Sequence, residues 1–109
     1  MKTHTPFESL QDYEGCLVIT SDGGTKLFEG VVKKGKRREY GQEFDSEGQL
    51  IYEGQFENDS YEGVGRTSNY RGQFLKGKRH GWGVYEDQKM RYEGMFEEGR
   101  FSGMGFLNV

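Results

Sequence analysis

Residues 70–85 read Tyr-Arg-Gly-Gln-Phe-Leu-Lys-Gly-Lys-Arg-His-Gly-Trp-Gly-Val-Tyr, and residues 92–107 read Tyr-Glu-Gly-Met-Phe-Glu-Glu-Gly-Arg-Phe-Ser-Gly-Met-Gly-Phe-Leu. Six positions match at an offset of 22 residues without a gap: a Tyr, a Phe and four glycines. Self-similarity at a fixed period of about 20 to 50 residues is the signature of a repeat array. The stretch from Tyr70 to Phe106 therefore decides the fold, and we interpret the rest of the chain as further copies of the same unit.

Each unit begins with Tyr, Gly and an aromatic residue at alternate positions, as in Tyr92, Gly94 and Phe96. Alternate residues of a β-strand share one face. Gly99 follows three residues later, where a tight reversal requires a positive φ angle. The Gly-x-Gly sequence at 103–105 then belongs to a second strand, and glycine weakens a strand unless something packs on its bare backbone. Since aromatic rings can do this, we predict one β-hairpin per unit, with the rings of its first strand or of a neighbouring hairpin lying over the paired glycines.

The pattern Tyr-x-Gly-x-Phe-x-x-Gly-x-x-x-Gly-x-Gly, which the units beginning at Tyr70 and Tyr92 match in full, resembles the MORN repeat (membrane occupation and recognition nexus). The resemblance implies an all-β fold, an elongated and twisted antiparallel sheet of stacked β-hairpins. It also implies a binding or scaffold module that is sometimes fused to an enzyme and is not itself a catalyst.

We predict a single domain in which an N-terminal segment at 1–12, forming either a short helix or no ordered structure, precedes a repeat array at 13–109. The array is divided into a degenerate first unit and four fuller ones: 13–27, 28–51, 52–69, 70–91 and 92–109. Terminal repeats are often atypical, which fits the irregular first unit.

Three of the departures from the repeat pattern bear on the path of the backbone. Glu39 stands where the first glycine of a Gly-x-Gly pair is expected. Phe44 lies one position late, and we predict a β-bulge near Gln42–Phe44 that absorbs the extra residue. Asp59 replaces a turn glycine, and Asp is one of the few other residues that adopt left-handed turn conformations.

The composition suits a thin sheet with an aromatic core. Apolar residues make up 32% of the chain and the mean hydropathy is −0.93, whereas aromatic residues reach 15%, which is too many for a disordered chain. The net charge of −3 argues against a nucleic-acid partner held by bulk charge. We find no apolar run near the ~20 residues that span a bilayer, and no secretory signal. Cys16 is the only cysteine, and we expect it to be buried or unused. Because a single cysteine provides no disulfide framework, we expect a reducing, cytoplasmic location, with association to the cytoskeleton or a membrane as a further expectation.

No catalytic residue, cofactor or metal site is predicted. His4 and His80 have no ligand-spaced Cys or acidic partners that would form a metal-binding set. The sequence Gly81-Trp82-Gly83 is a feature of the repeat and does not open a helix, so it is not interpreted as a phosphate loop.

The strand face opposite the rings carries the candidate partner-binding site. The residue between the paired glycines points to that face and is large and apolar in successive units. Contiguous exposed apolar surface marks interaction sites, and aromatic residues and Met are enriched there. The candidate residues are Tyr40, Val64, Trp82, Val84, Met95, Met104 and Phe106. We expect a helical or extended segment of another protein, or part of a larger assembly, to bind here; the alternatives are packing on the chain's own N-terminal segment, packing in a homodimer, or no special role.

Two other surfaces are candidates for binding. Two hairpin tips are basic, and clusters of Lys and Arg can bind anionic lipid, although charged tips also keep sheet edges from sticking. The candidate lipid-binding residues are Lys33, Lys34, Lys36, Arg37, Arg38, Lys76, Lys78 and Arg79. The last strand, near 106–109, has an edge at which a homodimer could form or a partner strand could add.

The function predicted from the sequence is that of a non-catalytic protein-interaction or scaffold module. One alternative is a peripheral membrane adaptor that uses the basic tips. Another is a targeting or regulatory subunit of an enzyme or a larger assembly.

Overall fold

The computed structural model describes residues 11–109, in which the chain forms nine β-strands and no helix. The predicted N-terminal segment lies outside the described residues except for Gln11 and Asp12, which form a turn. The strands are β1 (Glu14–Thr20), β2 (Lys26–Lys33), β3 (Lys36–Phe44), β4 (Leu50–Glu57), β5 (Ser60–Arg66), β6 (Tyr70–Leu75), β7 (Lys78–Glu86), β8 (Arg91–Glu97) and β9 (Arg100–Asn108).

All nine strands lie in one sheet in chain order, and each strand pairs antiparallel with the next. The Cα trace measures 57 × 25 × 17 Å, so the sheet is long and thin. Within residues 11–109, no helix is long and apolar enough to cross a membrane. The predicted all-β fold of stacked antiparallel hairpins is confirmed.

Four hairpins close along one side of the sheet in two-residue turns. Both turn residues have positive φ angles, the type I′ geometry that matches the natural twist of the flanking strands. The second turn residues have φ angles of 78°, 70°, 84° and 83°. The turns are Lys34–Gly35, Asn58–Asp59, Lys76–Gly77 and Glu98–Gly99. Asp59 adopts the left-handed conformation that its position in the repeat predicted.

The core is a line of rings on one face of the sheet. Tyr52 and Phe56 meet edge to face within their hairpin, with 5.1 Å between ring centroids, and Tyr52 meets Phe74 of the next hairpin in the same way at 5.2 Å. Edge-to-face pairs contribute about 0.5–1.5 kcal/mol beyond area burial, so one kind of contact both closes each hairpin and joins it to its neighbour. The buried apolar residues are Phe28, Val32, Tyr52, Phe56, Tyr70, Phe74, Tyr92 and Phe96.

A line of glycines crosses the sheet beneath these rings. A Cβ atom on Gly65 would lie 2.5 Å from Cε1 of Tyr52, and one on Gly83 would lie 2.5 Å from Cε1 of Tyr70. The hydroxyl of each ring donates a hydrogen bond to the backbone carbonyl three residues later, at 2.6 Å from Tyr52 and 2.8 Å from Tyr70. Successive strands pair these glycines directly, in the order Gly30, Gly41, Gly54, Gly65, Gly72, Gly83, Gly94 and Gly105.

Only the second glycine of each Gly-x-Gly pair lies under a ring, which corrects the expectation for the first. The first glycine has a φ angle of 69° at Gly63 and 68° at Gly81, and it lies in a β-bulge where the strand register shifts. In the second of these bulges Oε1 of Gln73 accepts a hydrogen bond from the backbone N–H of Trp82 at 2.8 Å. The first glycine is therefore required for its backbone conformation, and the second for the space it leaves.

The irregular unit in β3 keeps the same backbone path without the glycine. Glu39 occupies the bulge position with a φ angle of 67°. A left-handed conformation costs a residue with a Cβ atom about 1–2 kcal/mol. The predicted β-bulge farther along β3 is confirmed by a register shift between Glu43 and Phe44.

A second layer of side chains covers the rings on the side that points away from the sheet. The second residue of each returning strand lies over the rings, and these residues alternate between arginine and aromatic: Arg37, Tyr61, Arg79 and Phe101. Tyr61 stacks on Tyr52 with 3.7 Å between ring centroids, and the guanidinium carbon of Arg79 lies 5.3 Å from the ring centroid of Phe96. A single-layer sheet can bury its rings because these side chains cover them.

The predicted first unit, 13–27, contains one complete strand, whereas a full unit contains two. Residues 14–20 form one strand, β1, which pairs antiparallel with β2. A loop that includes Asp22 and Gly23 connects the two strands. Leu17 and Ile19 on β1 pack against the end of the ring core. Cys16 points the other way and is exposed, so of the two alternatives expected for it, buried or unused, the buried one is wrong. The division of the chain into units stays a prediction.

Candidate functional site

The face opposite the rings, which we call the outer face, carries two rows of side chains. The apolar row contributes one residue from every second strand: Tyr40, Val64, Trp82 and Met104. The mixed row combines the residues two positions farther along the returning strands with the residues that pair directly with them on the strands between. Its members are Gln42, Glu53, Arg66, Arg71, Val84, Glu93 and Phe106.

Between these rows lies a groove of about 580 Å³, which we call the outer groove. It crosses β3 to β7, and its floor is the backbone of the glycine line. Its apolar walls bring together four of the predicted partner-binding residues: Tyr40, Val64, Trp82 and Val84. A volume of this size falls in the range of about 300–1,000 Å³ that is usual for binding sites.

At one end of the outer groove, both carboxylate oxygens of Glu53 have partners within the protein. Oε2 accepts hydrogen bonds from the hydroxyl of Tyr40 at 2.7 Å and from Nε2 of Gln42 at 3.0 Å, and Oε1 lies 2.7 Å from a guanidinium nitrogen of Arg66. The Tyr40 hydrogen bond, followed by that from Arg66, lowers the pKa of Glu53. The same hydrogen bond raises the pKa of Tyr40. The charges of Glu53 and Arg66 therefore balance each other at this end of the groove.

The middle of the outer groove has two donors that the protein itself does not use. Arg71 lies directly opposite Arg66 across β5 and β6, and like charges in that position repel. Among the described residues, Arg71 forms no ion pair or hydrogen bond, and the indole N–H of Trp82 has no acceptor. Both side chains line the groove. An acceptor or an anion placed there would satisfy groups that folding leaves unsatisfied.

The other predicted partner-binding residues continue the two rows toward the edge of the sheet. Met95 on β8 pairs directly with Trp82. Met104 and Phe106 lie on β9 with exposed fractions of 76% and 72%, outside the outer groove itself. The apolar surface therefore extends past the groove along the same direction.

The basic tips are arranged differently from what the lipid-binding prediction requires. Nε of Arg37 lies 3.2 Å from Oδ1 of Asp59 at the next tip, and the Arg37 guanidinium also covers the ring of Phe56. Nζ of Lys78 lies 3.2 Å from Oε1 of Glu98. Because basic and acidic turns alternate along this side of the sheet, neighbouring tips neutralise each other.

Three more of the candidate lipid-binding residues have partners within the protein. Lys33 pairs with Glu39 at 2.9 Å, Arg38 lies 3.7 Å from Glu57, and a guanidinium nitrogen of Arg79 donates to a backbone carbonyl at 2.6 Å. Within residues 11–109, the candidates whose side chains form neither an ion pair nor a hydrogen bond are Lys34, Lys36 and Lys76. Lipid binding stays a prediction that depends on these three lysines.

In the part of the chain that the structure describes, no group of three or more His, Cys, Asp and Glu side chains is arranged to hold a metal ion. His80 is half-buried in β7, and His4 lies outside the described residues. The outer groove offers apolar surface, two hydrogen-bond donors and a positive charge, which suit binding.

The MORN repeat model matches residues 52–68, 70–89 and 92–107. The chain belongs to the MORN-repeat family. Each matched segment of this MORN-repeat protein begins at a Tyr whose ring covers a glycine of its own hairpin. MORN repeats are generally modules that bind proteins or membranes, and the repeat is not an enzymatic fold. A comparison with curated proteins found no match.

Two charged side chains of the groove, Glu53 and Arg71, are missing from the residues that the sequence singled out. Both lie one position after the Tyr that opens a MORN unit, on the outer face of its first strand. The alternation of faces along a strand predicts this position. What the sequence does not reveal is that Arg66 pairs with Glu53 while Arg71 is left without a partner.

Proposed function

We propose that this MORN-repeat protein is a non-catalytic interaction module that binds a segment of a partner protein along the outer groove. The observation that carries the proposal is the exposure of the apolar row. Val64 is 62% exposed and Trp82 46% exposed, although both are held on rigid strands by a core that does not need them. Exposed apolar side chains that form a continuous surface are characteristic of interaction sites.

The arrangement of the groove supports binding of a chain segment. Its anchors occur once per hairpin, so a long partner can gain a similar increment of apolar burial at each step, about 25 cal/mol per Å² removed from water. Trp82, Tyr40 and Arg71 belong to the residue types that dominate binding energy at protein interfaces. The strands that carry them are paired on both sides, which limits the entropy lost on binding.

Selection from a random peptide library displayed on phage tests the proposal directly. Peptides enriched on the wild-type protein are expected to lose binding at least tenfold on Val64→Asp and Trp82→Ala. The matched control is Val18→Asp, which places the same charge on another exposed valine of the outer face, on β1 and away from the groove. Enriched peptides that bind the two groove variants as tightly as the wild type would refute the proposal, and so would a failure to enrich any peptide.

The edge strand β9 supports a second proposal, self-association. In the described structure β9 pairs on one side only, and Phe106 and Leu107 are 72% and 57% exposed. A strand with unpaired N–H and C=O groups and apolar side chains can pair with another copy of itself. Sedimentation equilibrium is expected to show a monomer–dimer equilibrium that Phe106→Lys shifts toward monomer. A monomer at high protein concentration would rule the dimer out.

Membrane binding through the tips is the weaker alternative. Three lysines without ion pairs would contribute about 1 kcal/mol each at an anionic surface, about 3 kcal/mol in total, which is less than the ~4.1 kcal/mol of a millimolar complex. We expect flotation with phosphatidylserine vesicles at physiological salt to leave the protein unbound. If the protein floats with the vesicles, and no longer does so when Lys34, Lys36 and Lys76 are replaced by alanine, the membrane adaptor is established instead. A reducing, cytoplasmic location and a role as a subunit of a larger assembly stay proposals as well.

A further inference from the structure

The spacing and width of the outer groove indicate what conformation its ligand adopts. We propose that the partner segment binds as a left-handed polyproline II helix with an apolar residue at every third position and an acidic residue beside Arg71. This inference rests on the proposed function and specifies the partner of the same groove.

The first argument is the spacing of the anchors. Tyr40, Val64 and Trp82 lie on every second strand, β3, β5 and β7. Paired strands are about 4.7–4.9 Å apart, so successive anchors are about 9.4–9.8 Å apart. A polyproline II helix rises about 3.1 Å per residue with three residues per turn, and it therefore presents the same face every ~9.3 Å.

Other ligand conformations fit this spacing less well. An extended β-strand covers about 9.9 Å in three residues, but its third residue points to the opposite face. An α-helix returns to nearly the same face after seven residues, about 10.5 Å. From Tyr40 to Trp82 the α-helix would drift about 2 Å from the anchors, whereas a polyproline II helix would drift about 0.5 Å.

The second argument is the width of the groove. Its walls stand two residues apart along the same strand, as Val64 and Arg66 do, which corresponds to about 6.4–6.8 Å between Cα atoms. An α-helix with its side chains is about 10–12 Å across and would rest on the rims of the groove. A single chain in the polyproline II conformation can reach the glycine floor.

The third argument is the pair of unused donors. A polyproline II helix has no internal hydrogen bonds, so its backbone carbonyls need donors from the protein that binds it. The indole N–H of Trp82 and the guanidinium of Arg71 both line the groove without an acceptor among the described residues. An α-helix satisfies its own carbonyls and would leave both donors unused. The uncompensated charge of Arg71, which faces Arg66, adds a preference for a carboxylate on the ligand.

Three synthetic peptides test the inference through the fluorescence of Trp82, the single tryptophan of the chain. The first contains four Leu-Pro-Pro triplets and a final Pro, with Glu replacing one central Pro. The second has the same composition with Leu moved to every fourth position. The third is an amphipathic helix with the same number of Leu residues. We expect the first peptide to quench or shift Trp82 emission and to bind at least tenfold more tightly than either of the others.

Variants of both partners test the role of Arg71. Arg71→Ala is expected to weaken the first peptide severalfold, and to weaken by a smaller factor a version with Gln in place of Glu, which loses only the hydrogen bonds of the guanidinium. Tighter binding of the helical peptide would overturn the polyproline II inference and leave the proposed function intact, and so would equal binding of the second peptide. If none of the three peptides binds while the library selects other groove ligands, the inference alone fails. If the library also selects nothing, both proposals fail.

Discussion

Replacing Gly83 with alanine would test whether the rings rest on bare glycine backbone. The φ angle of Gly83 is not in the left-handed region, so alanine can adopt the backbone conformation, and the whole penalty comes from the Tyr70 ring. The new Cβ atom would lie 2.5 Å from both Cε1 and Cζ of Tyr70. The ring cannot easily retreat, because Phe74 and Phe96 hold it edge to face with centroids 5.1 and 5.0 Å away.

Overpacking of this kind costs about 1–3 kcal/mol. The less flexible unfolded chain offsets about 0.4–1 kcal/mol of this cost, so we expect a net loss of stability of about 1.3 kcal/mol. This corresponds to a fall in Tm of about 5–10 °C for a domain of this size. Urea denaturation followed by circular dichroism measures the free energy of unfolding directly.

Two further variants make the result specific to the ring. Gly23→Ala is the control, because its Cβ atom would meet nothing nearer than Ser21 Oγ at 3.9 Å, and it should change stability by less than about 0.5 kcal/mol. In a Tyr70→Leu background, which lacks the three colliding atoms, Gly83→Ala should cost less than about 0.5 kcal/mol. An equal cost in both backgrounds, or no cost in the wild type, would refute the ring-on-glycine account.

Three other perturbations test particular contacts. Glu39→Gly should be more stable than Glu39→Ala by about 1 kcal/mol in urea denaturation. Both variants lose the carboxylate, but only glycine adopts the positive φ angle of this position without strain. Equal stability of the two variants would contradict the strain at this position. Burial, then a hydrogen bond to a carboxylate, raises the pKa of Tyr61 from 10.0 to about 12, so the folded protein keeps a proton that the unfolded chain releases. Stability from this group should be complete below pH 10 and lost as the pH rises toward 12, and urea midpoints of Tyr61→Phe should fall less steeply over that window. Arg79→Lys should lose about 1–2 kcal/mol of stability because lysine cannot cover three rings, whereas Lys78→Ala should stay within about 0.5 kcal/mol; equal effects would argue against the guanidinium layer.

Much of the fold could be predicted because each copy of the repeat has the same residue pattern and therefore the same strand and turn preferences. The alternation of Tyr92, Gly94 and Phe96 predicts a strand with a ring face, and the structure confirms it. The left-handed turn at Asp59 and the bulge near Phe44 were also predictable, since both follow from comparing one unit with the next. Local conformational preference and the two-residue period of a strand were sufficient for these features.

The candidate site was predictable in outline and incomplete in its chemistry. The positions of Tyr40, Val64 and Trp82 on one face follow from the period of the strand. The charge balance of the groove does not, because it depends on which side chain of the mixed row reaches which neighbour. Glu53 binds Arg66 from the next strand, and that pairing leaves Arg71 as the available cation.

The amino-acid sequence alone determined that this protein is a row of β-hairpins, because glycines and rings at a 22-residue offset admit no helix and no thick aliphatic core. Only the tertiary structure decided which glycine of each pair lies beneath a ring and which one turns the backbone at a bulge. It also decided that Arg37 and Arg79 cover the core and are drawn away from the tips. The physical reason is that strand register and cross-hairpin contacts join residues about 20 positions apart, and no local preference specifies how such side chains meet.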